Sequence, residues 1–175
     1  MVRYRRKRVA GGTYFFTVAL HDRRSTLLVD HVGLLRAAFR DARRQRAFTI
    51  DAMVVLPDHL HAIWTLPPDD DDYAGRWRSI KSRFSHAVAQ AETAIRRNPK
   101  GEYKLWQRRY WEHTIRDGND LARHVDYIHY NPVKHGHTAS PVEWPFSSFH
   151  RYVKQGLYAA DWGSTEISFN GIGNE

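Results

Sequence analysis

Two histidines separated by one apolar residue, His59-Leu60-His61, lie in the run HLHAIWTL, whose β-branched and aromatic content reads as a strand. Successive strand side chains alternate between faces, so both imidazoles project to one side and can share a cation. The spacing suits two ordinary surface histidines equally well. A second group lies in HVDYIHYNP, His124 to Pro132. On a helix Tyr127 and Asn131 are four apart and stack on one face, with His124 three residues before the tyrosine on the same side. A phenol and an amide oxygen are then presented together. Taken alone, the segment fits as well a packed tyrosine with its hydroxyl at the surface and an asparagine capping the helix before Pro132.

Together the two segments point to one chemistry. Cleavage of a phosphodiester by tyrosine needs a phenol near phosphorus, a cation to polarise the scissile phosphate, and donors for the flanking phosphates. A free phenol has a pKa of about 10, so at neutral pH it needs metal proximity or a proton acceptor to become a useful nucleophile.

The elements that must position these residues follow from periodicity. TYFFTVAL, Thr13 to Leu20, reads as a first, buried strand, and Asp30 to Arg46 as a helix with Val32, Leu35, Ala38, Phe39 and Ala42 on one face. FTIDAMVVL, Phe48 to Leu56, is a second strand; Pro57-Asp58 turns it into the third, His59 to Leu66, as an antiparallel hairpin. The acidic run Asp69 to Asp72 favours the start of a helix spanning Tyr73 to Arg96. NPKGEYK, Asn98 to Lys104, reads as a loop, RYWEHTI, Arg109 to Ile115, as a fourth strand, and Asp120 to Tyr130 as a helix that Pro132 stops. The expected fold class is α+β: a ferredoxin-like split β-α-β-β-α-β unit with a four-to-five-stranded antiparallel sheet. Helices cover one face, the nucleophile helix lies on the other, and a C-terminal tail is added. The expected division is a basic arm over residues 1–12, an endonuclease domain over 13–133, and a tail over 134–175 packed on it.

Composition narrows the partner. The chain of 175 residues suffices for one substantial core. Its 27 Lys and Arg against 19 Asp and Glu give a formal net charge of +8, which favours a polyanion through steering and counterion release. A solvated basic surface is the plainer alternative. Absence of cysteine excludes disulfides and Cys-based zinc sites, and neither a signal peptide nor a membrane-spanning apolar run is evident.

The blocks GGTYFFTV, VVLPDHLHAIW, RWRSIKSRF, WQRRYWEHTIRD, HVDYIHYNPVKHG and WPFSSFHRYV occur in that order over nearly the whole chain. In this the sequence resembles the REP-associated tyrosine transposases, relatives of the IS200/IS605-type transposases among the histidine-hydrophobe-histidine endonucleases. The resemblance implies a site-specific endonuclease and strand transferase that acts on single-stranded DNA through a 5′-phosphotyrosine intermediate. It places the nucleophile on Tyr127 and a divalent cation, Mg or Mn, on His59 and His61. Asn131 is the candidate third ligand, standing where insertion-sequence relatives often carry glutamine, and His124, His129 and His113 are alternative ligands or groups that brace them. The implied partner is a hairpin of single-stranded DNA with flanking guide bases, met in the cytoplasm at the nucleoid and without a membrane. Insertion-sequence relatives act as dimers that exchange the tyrosine helix, whereas the REP-associated branch is expected to act as a monomer.

Candidate DNA contacts are regional: Arg3, Arg5, Arg6, Lys7 and Arg8 in the arm, Arg76, Arg78, Lys81 and Arg83 along one helix side, and Arg108 and Arg109 before the fourth strand. Trp77, Tyr110 and Trp111 are candidates for stacking on an unpaired base, although Trp77 lies on an apolar face that suits the core better. Two other readings stand beside the enzyme: a hairpin DNA- or RNA-binding protein that does not cut, and a metal site that merely braces the hairpin turn.

Overall fold

A computed structural model of the chain describes residues 7–92, 94, 95, 97–169 and 172. The aromatic first strand, β1 (Thr13–Ala19), takes an inner position in a four-stranded antiparallel sheet. The other strands are β2 (Thr49–Val55), β3 (His59–Thr65) and β4 (Trp111–Thr114), in the spatial order β2-β3-β1-β4. Phe15 pairs with Ile63, Thr17 with His61 and Ala19 with His59. A bulge between Ile50 and Ala52 interrupts the register of β2.

Period two divides the sheet into two apolar faces. Tyr14, Phe16 and Val18 of β1 join Leu60, Ala62 and Trp64 of β3 beneath α2 (Val32–Gln45) and α3 (Tyr73–Ala91). Phe15, Ala52, Val54 and Ile63 meet Val125, Tyr127 and Ile128 of the last long helix, α4 (Gly118–Lys134). The α+β, ferredoxin-like architecture therefore holds, with two helices on one face and the tyrosine helix on the other. The helix expected from Asp30 begins as a separate turn, α1 (Leu27–Asp30), and α3 ends at Ala91; Arg96, its expected end, lies outside the described residues. Asp72 caps α3 by accepting a hydrogen bond from the Gly75 N–H at 2.8 Å.

Pro132 does not stop α4. A proline removes one N–H donor and crowds the carbonyl four residues back, but here it falls in the last turn, where little helix remains to be disrupted. The end is set instead by Gly136, at φ 69°. The Gly136 N–H donates to the Val133 carbonyl and the His137 N–H to the Pro132 carbonyl, both at 2.9 Å, a Schellman arrangement.

The following chain carries a 3₁₀ turn, Pro141–Glu143, and α5 (Phe149–Lys154). It covers the outer edge of β2: the Val55 N–H donates to the Phe146 carbonyl and the Ser148 N–H to the Met53 carbonyl, both at 2.8 Å. An otherwise unpaired strand edge is thereby protected.

Candidate active site

His59 and His61 open β3 on the face that α4 covers, and both are buried, at 1% and 0% exposure. The Nδ1 of His59 lies 2.8 Å from Asp58 Oδ1, and the other carboxylate oxygen of Asp58 lies 2.6 Å from Arg23 Nε. Burial pushes the Asp58 carboxyl upward, but the His59 hydrogen bond and the Arg23 guanidinium hold it below the usual carboxylate range. An ionised carboxylate can only accept, so it fixes the His59 proton on Nδ1 and leaves the Nε2 lone pair as the ligating atom. That Nε2 is buried with no hydrogen-bond partner among the described residues. His61 Nδ1 is 2.9 Å from the hydroxyl of Thr17, its partner across the strands. The two imidazole centroids are 5.1 Å apart.

Tyr127, 1% exposed, meets this pair from α4, its ring 5.3 Å from that of His61. Lys134, two turns on, donates from Nζ to the Tyr127 oxygen at 3.1 Å and lies 4.8 Å from the ring centroid. Asn131 is fully buried between Tyr127 and Lys134 in the helix sequence. His135, at the cap of α4, brings a third imidazole to within 5.1 Å of His59. The donor set of His59 Nε2 with a second imidazole suits a divalent cation, and the unsatisfied nitrogen fits one.

The other histidines divide between two places. His113 of β4, Asp120 and His124 of α4 form a cluster able to coordinate a metal, with potential ligand atoms within 4.8 Å of one another. His113 Nε2 lies 2.8 Å from Asp120 Oδ2, and His124 Nδ1 lies 2.7 Å from the Asp120 carbonyl oxygen. Burial raises the Asp120 carboxyl, but hydrogen bonds from His113 and from the backbone and guanidinium of Arg116 outweigh it and hold the pKa at about 2. Burial likewise depresses His124. Phe15 separates this cluster from the tyrosine, with ring centroids 4.9 Å from His124, 5.4 Å from His61 and 5.9 Å from Tyr127. His129 points elsewhere. It meets Ser148 Oγ at 2.9 Å and the rings of Phe149, Tyr152 and Tyr158, where burial lowers its pKa to about 3.

The expected DNA contacts also separate. Arg3, Arg5 and Arg6 lie outside the described residues, while Lys7 and Arg8 are exposed. Arg76 does not line a surface: it is 2% exposed, donating to Asp70 at 2.8 and 3.0 Å and to the carbonyls of Ala47 and Asp72. A buried guanidinium is tolerable only with such partners, and here it ties the start of α3 to the acidic loop. Arg78 is exposed, Arg83 lies 3.9 Å from Asp41, and Lys81 donates to the Gln107 carbonyl at 2.7 Å, all on the helix layer opposite the histidine pair. Arg108 and Arg109 are exposed before β4. Trp77 is core, stacked 4.2 Å from Trp64, while Tyr110 and Trp111 are half-buried. Asp58, Asp120, Thr17 and Lys134 were not singled out from sequence. Only Asp58 carried a local signal, a carboxylate directly preceding the histidine pair.

A buried histidine pair and a helical tyrosine packed together on one face of a four-stranded antiparallel sheet define a tyrosine endonuclease of the histidine-hydrophobe-histidine class. The family described as "Transposase IS200 like" matches residues 9–131. The REP-associated tyrosine transposase of Escherichia coli (strain K12) is 48% identical over 170 residues, covering 97% of this chain and 96% of that protein. A relative from Haemophilus influenzae is 44% identical, covering 93% of this chain and 94% of its own. A solved structure of a REP-associated tyrosine transposase bound to a REP hairpin superposes with a TM-score of 0.87 at 47% identity, covering 100% of this chain and 98% of that one.

The chain belongs to the IS200-like transposase family, in its REP-associated tyrosine transposase branch. It is a metal-dependent single-stranded-DNA endonuclease and strand transferase. Among the described residues no helix is long and apolar enough to cross a membrane.

Proposed function

We propose that Tyr127 cuts one strand beside a REP-like DNA hairpin, with His59, His61 and Asn131 holding Mg or Mn. The observation that carries this reading is the buried His59 Nε2, oriented by Asp58 and without a partner among the described residues, in a site whose neighbouring imidazole packs against Tyr127. A solved relative's complex with a REP hairpin supports the choice of substrate. When bound, the cation draws charge from a non-bridging phosphate oxygen and fixes the phosphate.

The phenol oxygen of Tyr127 attacks phosphorus, forming the phosphotyrosine bond as the bond to the departing 3′-oxygen breaks; the phenolic proton is lost and the departing oxygen takes one up. Lys134 holds the attacking oxygen from the same helix. The 5′-phosphotyrosine keeps the energy of a phosphodiester, so a second 3′-hydroxyl can displace Tyr127 and rejoin strands. Since Tyr127 meets the histidines of its own chain, the reading is of a monomer that completes its site in cis. In the same reading residues 13–133 are the catalytic domain, residues 1–12 an arm, and residues 134–175 a tail, of which Phe146 and Ser148 brace β2.

The test incubates wild type and Tyr127→Phe with end-labelled single-stranded hairpin DNA and Mn, and scores denaturation-resistant protein–DNA adducts. An adduct in wild type alone is expected. No adduct from either protein across a pool of hairpins, with binding insensitive to EDTA, would leave a hairpin-binding protein that does not cut.

A further inference from the structure

A recess of about 770 Å³ lies between α3 and the segment 97–108 that leads toward β4. Its lining includes five cationic side chains, Lys81, Arg97, Lys100, Lys104 and Arg108, against one carboxylate, Glu102. Among the described residues Arg97, Lys100, Lys104 and Arg108 make no ion pair, in contrast to the arginines around the acidic loop, Arg46 and Arg76. Two aromatics sit among these charges. Arg97 lies 5.0 Å from the ring centroid of Tyr103, and Lys81 lies 5.7 Å from that of Trp106. Trp106 is itself pinned by its indole N–H to Ser85 Oγ at 3.1 Å.

The recess is tied to the catalytic end of the sheet. The His21 N–H donates to the Leu105 carbonyl at 2.8 Å and the Gln107 N–H to the Ala19 carbonyl at 3.0 Å. Ala19 is the cross-strand partner of His59. The recess wall and the histidine pair are therefore attached to the same end of β1, one on each side of the sheet.

We propose that this recess binds the unpaired strand flanking the hairpin, with phosphates on Lys100, Lys104 and Arg108 and a base against the half-buried Tyr103; this rests on the hairpin-nuclease reading above. A concave recess with an aromatic between cations suits single-stranded nucleic acid, whose backbone can bend inward and whose bases are free to stack. A duplex offers neither. The flank would leave the recess around the end of β1 toward Tyr127, giving the cut its position relative to the hairpin.

The experiment uses the full chain carrying Tyr127→Phe, so that binding is read without cleavage. Fluorescence anisotropy follows three labelled probes: oligo(dT) of eight nucleotides, a blunt DNA hairpin, and the same hairpin with thymidine extensions on both ends. In Lys100→Ala/Lys104→Ala/Arg108→Ala we expect oligo(dT) and the extended hairpin to bind at least ten-fold more weakly. The salt slope for oligo(dT) should fall by about two, because each phosphate left without its cation lowers it by roughly 0.7. The blunt hairpin should stay within two-fold. Arg36→Ala/Arg40→Ala/Arg44→Ala removes equal charge from α2 and should leave all three probes within two-fold. Unchanged oligo(dT) affinity in the recess variant, equal losses for the blunt hairpin, equal losses in the α2 variant, or ten-fold tighter binding of oligo(U) RNA than oligo(dT) would each overturn the proposal. Failure of the nuclease reading shows separately, as absence of the wild-type adduct.

Discussion

Replacing Asp58 with asparagine separates the two places where a cation could sit. The substitution keeps the shape and an oxygen that can accept from His59 Nδ1, now at 2.8 Å, but removes the charge that fixes the tautomer. A charge-assisted hydrogen bond is about twice as strong as a neutral one, so about 1 to 1.5 kcal/mol of support for His59 is lost. One decade in affinity corresponds to about 1.4 kcal/mol, so Mn binding at His59 should weaken about ten-fold, the mild end for groups that orient metal-bound histidines. Isothermal titration with Mn gives the affinity, and the Mn concentration for half-maximal adduct gives an independent readout. Asp120→Asn is the control, because Asp120 joins His113 and His124 on the far side of Phe15. It should leave Mn affinity within about two-fold. If Asp120→Asn weakens Mn binding and Asp58→Asn does not, the cation belongs to the His113–Asp120–His124 cluster and the reasoning from the His59 tautomer is refuted.

Two further outcomes follow from the same geometry. Lys134→Met removes the ammonium that holds the Tyr127 oxygen at 3.1 Å; adduct formation in a single-turnover assay should slow by at least ten-fold while Kd for the hairpin changes by less than three-fold. His129 is held at a pKa of about 3 by burial, against 6.5 for its ordinary value, so the unfolded chain takes up its proton first as pH falls. The stability it contributes is complete above about pH 6.5 and is lost on acidification toward pH 3. At about pH 4.5 the loss is about 3 kcal/mol, read by urea unfolding as a pH slope that His129→Leu should lack.

Much of the site was legible because it rests on local periodicity. Alternation put His59 and His61 on one face, and helical spacing put Tyr127 and Asn131 on another element that could face them. Neither rule says which strand lies beside which. Thr17 reaches His61 only because β1 pairs with β3, and nothing in TYFFTVAL announces that register. Arg76 departs from its expected surface place for a similar reason: helical phase sets it beside other basic residues, but Asp70 and the Ala47 carbonyl, supplied by separate loops, draw it inward. Pro132 misled because its effect depends on distance to the helix end, and that end is set by Gly136. Asn98 to Lys104 reads as a plain loop because the recess it helps to line depends on hydrogen bonds of Leu105 and Gln107 to His21 and Ala19, formed only in the folded chain.

Phe15 has a consequence beyond packing. One ring packed against His61, His124 and Tyr127 works as an apolar bulkhead between two polar clusters. On one side the His59 Nε2 is buried without a partner among the described residues; on the other, His113 and His124 both bond to Asp120. A single inward residue on β1 thus lets two polar clusters share one helix and one sheet with apolar surface between them.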